Sequence, residues 1–108
     1  MFKVMIVDDE KIIRESICAL IPWEELGLKL VASCKDGIEA YNALQDEMPD
    51  IIMTDIRMPG MSGIDLIKKA YDAKLNVQFI ILSGYNEFEY AQSAMKYGVK
   101  QYLLKPCN

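Results

Sequence analysis

Short apolar runs alternate with longer amphipathic stretches along all 108 residues, a rhythm that few folds accept. Phe2 to Val7 is strand-like and ends abruptly in two acids. Ile13, Ile17, Leu20 and Ile21 then recur at i, i+4, i+7 and i+8, which predicts a helix. Pro22 to Gly27 breaks it, and Leu28 to Cys34 reads as a second strand centred on β-branched Val31. Asp36 and Gly37 open a second helix with Ile38, Tyr41 and Leu44 on one side, closed by Pro49. Asp50 to Asp55 is a third strand, a Pro59-Gly60 turn follows, and Ile64, Ile67 and Tyr71 carry a third helix. Val77 to Leu82 is the most plainly buried strand. Phe88, Ala91 and Met95 carry a fourth helix that Gly98 ends as a C-cap, and Lys100 to Leu104 is the last strand.

The order is βαβαβαβαβ. Runs this apolar have no wet face, so the alternation implies an α/β fold: a parallel sheet covered by helices on both sides. Each crossover is expected to be right-handed. In such sheets ligands bind beyond the carboxyl ends of the strands, near a topological switch point. Chemistry is therefore to be sought where strands stop.

Four strands stop in polar residues of distinct kinds. The first ends in Asp8 and Asp9 with Glu10 behind them, the third in Asp55, the fourth in Ser83-Gly84, and the fifth in Lys105. Brought to one edge of one sheet, these place three carboxylates, a hydroxyl and an ammonium together. Clustered carboxylates repel one another unless a cation joins them. Hard oxygen donors at this density suit Mg²⁺, which keeps several waters and takes one or two carboxylates plus phosphate oxygens. A carboxylate is a competent nucleophile towards phosphorus, and Ser83 and Lys105 are donors suited to a phosphoryl transition state. Each feature alone has a plainer reading. Asp8-Asp9 could be helix N-cap and first-turn acids, Asp55 a turn residue, Ser83-Gly84 a loop dipeptide, and Lys105-Pro106 a strand end. Their conjunction at four strand ends carries the argument for phosphoryl transfer onto an aspartate.

Composition narrows the setting. Hydrophobic residues make up 52% and charged residues 26%, the balance of a globular domain and not of a disordered tail. No apolar run approaches the ~20 residues of a membrane span, and MFKVMIVDDE has no signal-peptide core. A net charge of −4 argues against gripping nucleic acid by phosphate neutralisation. Cys18, Cys34 and Cys107 are scattered, with no CxxC pair and no histidine, so neither a disulfide framework nor a structural zinc site is expected. The expectation is one domain, intracellular and cytoplasmic, spanning residues 1–108.

The segments VMIVDDE at 4–10, DIIMTDIRMPGMSG at 50–63, IILSGY at 80–85 and YLLKP at 102–106 resemble those of response-regulator receiver domains of two-component signalling. The resemblance covers essentially the whole chain. It implies a flavodoxin-like, doubly wound, five-stranded parallel sheet in the order 2-1-3-4-5. It also implies that Asp55 takes a phosphoryl group from a sensor histidine kinase, Asp8 and Asp9 hold Mg²⁺ with Asp55, and Arg57 adds its backbone carbonyl. Ser83 then matches the residue whose hydroxyl contacts the phosphoryl group, Lys105 the family lysine, and Tyr102 the aromatic that turns inward on switching. Arg57 and Tyr85 occupy the two positions that tune phosphoryl lifetime. On this reading the chain is not an enzyme beyond its own self-catalysed phosphoryl transfer and hydrolysis.

The segments IPWEELGLKLVASCKDG and SGYNEFEYAQSAM are similar to receivers of transcription regulators that carry an AraC-type helix-turn-helix domain. DNA would then be contacted only through an output domain outside these residues, with no membrane partner. Trp23 is expected to cap the core beneath the extension after the first helix. The chain stops three residues after Lys105, so the family's fifth helix is not expected within it, and the sheet face that helix covers is expected to lie open or meet a second copy. Three other functions fit less well. A haloacid-type phosphatase would place its acids as DxD after the first strand. A flavin or dinucleotide module would want a Gly-rich phosphate loop where DDEKII stands. A non-phosphorylated pseudo-receiver, serving as an interaction module, would not need the full polar set.

Overall fold

The computed structural model describes residues 1–83, 92, 97 and 101–104, with the backbone alone for Ser83 and 101–104. In chain order the elements are β1 (Phe2–Val7), α1 (Lys11–Leu20), β2 (Leu28–Cys34), α2 (Gly37–Glu47), β3 (Ile51–Asp55), α3 (Gly63–Asp72), β4 (Gln78–Ser83) and β5 (Gln101–Leu104). The expected fourth helix over Phe88, Ala91 and Met95, with its cap at Gly98, lies outside the described residues.

The five strands form one parallel sheet in the order β2-β1-β3-β4-β5. This is the doubly wound arrangement, with the reversal of strand order at β1 and β3. The helices divide the core into two clusters. Met5, Val7, Ile52, Phe79 and Ile81 face Ala40, Leu44, Leu66, Ile67 and Ala70 of α2 and α3. On the other face Val4, Ile6, Met53 and Leu82 pack with Ile13, Ile17, Ile21 and Trp23. Neighbouring strand residues point to opposite faces, so runs such as VMIV supply both clusters at once.

β2 breaks that parity. Val4 pairs with Leu30 and Met5 with Ala32, so Val31 is an extra residue without a partner in β1. A bulge of one residue flips everything after it to the opposite face. Leu28 and Leu30 accordingly pack on the α1 side, whereas Ala32 and Cys34 pack on the α2 side, although all four positions are even. Val31, expected as the strand's centre, is its irregularity.

Three helical stripes also differ from expectation. Leu20, Ile38 and Tyr71 are exposed, at 77%, 53% and 56%. The buried residues of the helices are Ile17 in α1, Gly37, Ala40 and Leu44 in α2, and Gly63, Leu66, Ile67 and Ala70 in α3. Where a helix lies close to a sheet its contact line favours small side chains, which carry little hydrophobic signal. The face expected to lie open is not bare at its centre: Val4, Ile6, Met53 and Leu82 are buried there, and Ile51 and Ile80 half-buried. Trp23 does cap this cluster, and its indole N–H donates to the Cys18 carbonyl at 3.0 Å. No helix among the described residues is long and apolar enough to cross a membrane.

Candidate functional site

The carboxyl ends of β1 and β3 lie side by side, because Val7 pairs with Thr54. The residues that follow those pairs are Asp8 and Asp55, and both are buried. Asp8 continues the β1–β2 pairing through its N–H, which donates to the Cys34 carbonyl at 3.0 Å. Its carboxylate Oδ1 accepts the Glu10 N–H at 2.9 Å, turning the chain out of the strand. Its carbonyl accepts from Arg14 Nη1 at 2.7 Å. Glu10, not either aspartate, is the N-cap residue of α1, and its side chain makes no capping bond. The reading of Asp8-Asp9 as capping acids is thereby excluded, since the first turn of α1 contains no acid.

Asp55 is fixed from its other side. Its Oδ1 accepts the Ile56 N–H at 2.8 Å, and its carbonyl accepts the Thr54 hydroxyl at 2.9 Å. The loop after it is pinned between two helix starts. Gly63 opens α3 directly against the Asp55 carbonyl, which a Cβ would overlap, and its N–H donates to the Ile56 carbonyl at 2.7 Å. Gly37 opens α2 against the backbone of Met61, which leaves no room for a Cβ either. Ser62 and Asp65 close a capping box at the start of α3, where each side chain accepts the other's backbone N–H.

One carboxylate oxygen from each of Asp8, Asp9, Glu10 and Asp55 lies within 4.8 Å of the others. Asp8 and Asp55 form the buried floor of this cluster, and Asp9 and Glu10 its exposed rim. Four hard, anionic oxygens so close repel one another, and a small divalent cation offsets that repulsion. The donor set fits Mg²⁺ and offers nothing soft enough to favour zinc or copper.

The other sequence-predicted residues are placed by register or fall outside the described part. Asp55 pairs with Leu82 in β4, and the next residue, Ser83, ends that strand and pairs with Leu104. Tyr102 pairs with Ile81 in β5. Arg57 is exposed in the loop after β3. Lys105 and Tyr85 lie outside the described residues, as does Cys107. The strand ends predict three carboxylates at this edge, whereas the fold gathers four. Glu10 stands beside the pair in sequence, but its closeness to Asp55 arises only in the folded chain. Thr54, Gly63 and Arg14 carried no signal, because their roles depend on backbone atoms they meet only in the folded chain.

Known proteins share this sequence and fold. Residues 4–108 match the family model of the response regulator receiver domain. The chain is 52% identical over 108 residues to the uncharacterized transcriptional regulatory protein YesN of Bacillus subtilis, covering all of this chain and 29% of that protein. It thus spans under a third of the length of that relative. Among solved structures it is similar to the receiver domain of AraT, a response regulator from Geobacillus stearothermophilus. The TM-score there is 0.93 at 42% identity, over 99% of this chain and 83% of that one. A two-component transcriptional regulator AraC from Clostridium phytofermentans is similar at 33% identity and a TM-score of 0.90, over 100% and 84% of the two chains.

Proposed function

The chain belongs to the response regulator receiver domain family, and from that premise we propose that it accepts a phosphoryl group on Asp55 from the phosphohistidine of a sensor kinase. The observation that carries the reading is the buried Asp55 carboxylate within 4.8 Å of three further carboxylates at the carboxyl edge of the sheet. Asp8, Asp9 and Asp55, with the carbonyl of Arg57, are the residues that would hold Mg²⁺. Bound there, the ion supplies positive charge against both the acidic cluster and an incoming phosphoryl group.

The chain's own residues do the rest. Oδ1 of Asp55 accepts the Ile56 N–H, which orients the carboxylate, and a carboxylate oxygen of Asp55 is the nucleophile. It forms a bond to phosphorus as the phosphorus–nitrogen bond to the donor imidazole breaks, and that nitrogen keeps the electron pair and takes up a proton. The product is an acyl phosphate. Ser83, which follows the partner of Asp55 in β4, and Lys105, which follows Leu104 in the sequence, are the donors to the phosphoryl oxygens on this reading. Tyr102 follows as the switch aromatic. The chain has no histidine, which fits a donor imidazole on another protein. Residues 1–108 form the receiver, with a transcription-regulating output domain of the AraC type beyond it and the whole in the cytoplasm.

The test is intact mass after incubation with Mg²⁺ and acetyl phosphate, beside Asp55→Ala. One added phosphoryl group is expected, absent from the variant and from a sample kept in EDTA. A folded wild-type chain that gains no mass would instead support a pseudo-receiver.

A further inference from the structure

We propose that Arg14 is a positioning residue for the acidic site, holding the Asp8–Glu10 turn in the shape that presents its carboxylates to a cation. The inference rests on the metal reading given above. Arg14 grips both ends of that turn. Its half-buried guanidinium donates through Nη1 to the Asp8 carbonyl at 2.7 Å, and its backbone N–H donates to the Glu10 carbonyl at 3.0 Å. Within the turn, the Glu10 N–H closes on Asp8 Oδ1 at 2.9 Å. A stretch carrying three adjacent acids is thus tied by three hydrogen bonds. The second is the first helical bond of α1, and only the one to the Asp8 carbonyl needs the arginine side chain.

The bond to the carbonyl matters for Asp9. The Asp8 carbonyl and the Asp9 N–H belong to one planar peptide unit. Fixing the oxygen fixes the direction in which the chain leaves Asp8, and with it the position of the Asp9 Cα that carries the exposed carboxylate. A guanidinium suits this task because it stays charged and donates in a fixed plane. It also leaves the carboxylate oxygens turned to the cluster, since it binds the main chain of Asp8 by this contact.

Charge alone makes the opposite prediction. A cation beside an acidic site competes with a bound metal, so deleting a merely nearby arginine would tighten metal binding. Deleting a positioning arginine loosens it. The sign of the change separates the two.

The experiment is calorimetric titration of Mg²⁺ into the wild-type chain, Arg14→Met and Arg14→Lys, checked by Mn²⁺ binding followed through its electron paramagnetic resonance signal. Met keeps the apolar stem and removes the donors. Arg14→Met is expected to bind Mg²⁺ about tenfold more weakly, as loss of outer partners does at metal sites. Arg14→Lys should fall between the two, because it keeps the charge and one donor. Binding as tight as wild type, or tighter, in Arg14→Met overturns the proposal. If that variant does not fold, wild-type affinity in Arg14→Lys overturns it. A wild-type chain that binds no Mg²⁺ removes the metal reading itself, an outcome distinct from unchanged affinity in the variants.

Discussion

Replacing Gly63 with alanine tests how the fold holds the strand that ends in Asp55. Gly63 has an ordinary helical conformation, so on local grounds an added methyl would stabilise by about 0.4–1 kcal/mol through the unfolded chain. The tertiary structure reverses that sign. A Cβ there overlaps the Asp55 carbonyl oxygen and comes within 3.0 Å of the Asp55 carbonyl carbon and 3.2 Å of the Ile56 Cα. All three are backbone atoms of a strand end and its first loop residue, and none can swing aside as a side-chain tip would. Relief requires the start of α3 to lift away, which stretches the 2.7 Å bond from the Gly63 N–H to the Ile56 carbonyl. It also loosens Leu66, Ile67 and Ala70, each 1% exposed or less. Overpacking costs about 1–3 kcal/mol and a weakened hydrogen bond about 1. Set against the local gain, the net loss is about 1–4 kcal/mol. Urea unfolding followed by Trp23 fluorescence measures it. A midpoint equal to wild type or higher would refute the packing argument, because the local term alone would then have decided the outcome.

Two further outcomes are expected. Burial pushes the Cys34 thiol from 9.0 up to about 11, with Glu39 and Asp36 adding to the rise and Arg14 opposing it. Its folded value lies above its unfolded one, so its contribution is complete below about pH 9 and is lost as pH rises through about 11. Between about pH 8 and 11.5 the unfolding free energy should fall further in wild type than in Cys34→Ala, and parallel curves would remove the effect. On the proposed reading, the bulky Arg57 and Tyr85 side chains slow hydrolysis of the acyl phosphate. Their joint replacement by alanine should shorten the lifetime of the acyl phosphate, followed by loss of the added mass, and an unchanged lifetime counts against that role.

Much of the site was legible because its parts stand at the ends of apolar runs. VDDE and MTDI each announce a buried strand meeting polar residues, and parallel strands must present those ends at one edge. The helices were legible as elements but less so as faces. Leu20, Ile38 and Tyr71 look apolar in sequence yet stand in solvent, while Ala40, Ala70, Gly37 and Gly63 make the close contacts. Hydrophobicity reports which residues prefer burial, whereas the distance between helix and sheet selects those that fit. The bulge at Val31 was hidden for a similar reason. β-branched residues favour strands in general, but pairing with β1 decides which one is skipped.

Sequence alone therefore determined the alternation of elements, the parallel sheet and the acids at its carboxyl edge, because these follow from local periodicity and from where each apolar run stops. Tertiary structure decided the closeness of the fourth carboxylate, the hold of Arg14 on the Asp8 carbonyl, and the sign of a methyl group at Gly63. Those depend on backbone atoms that are 6 to 8 residues apart or belong to different elements, and only the folded chain brings them into contact.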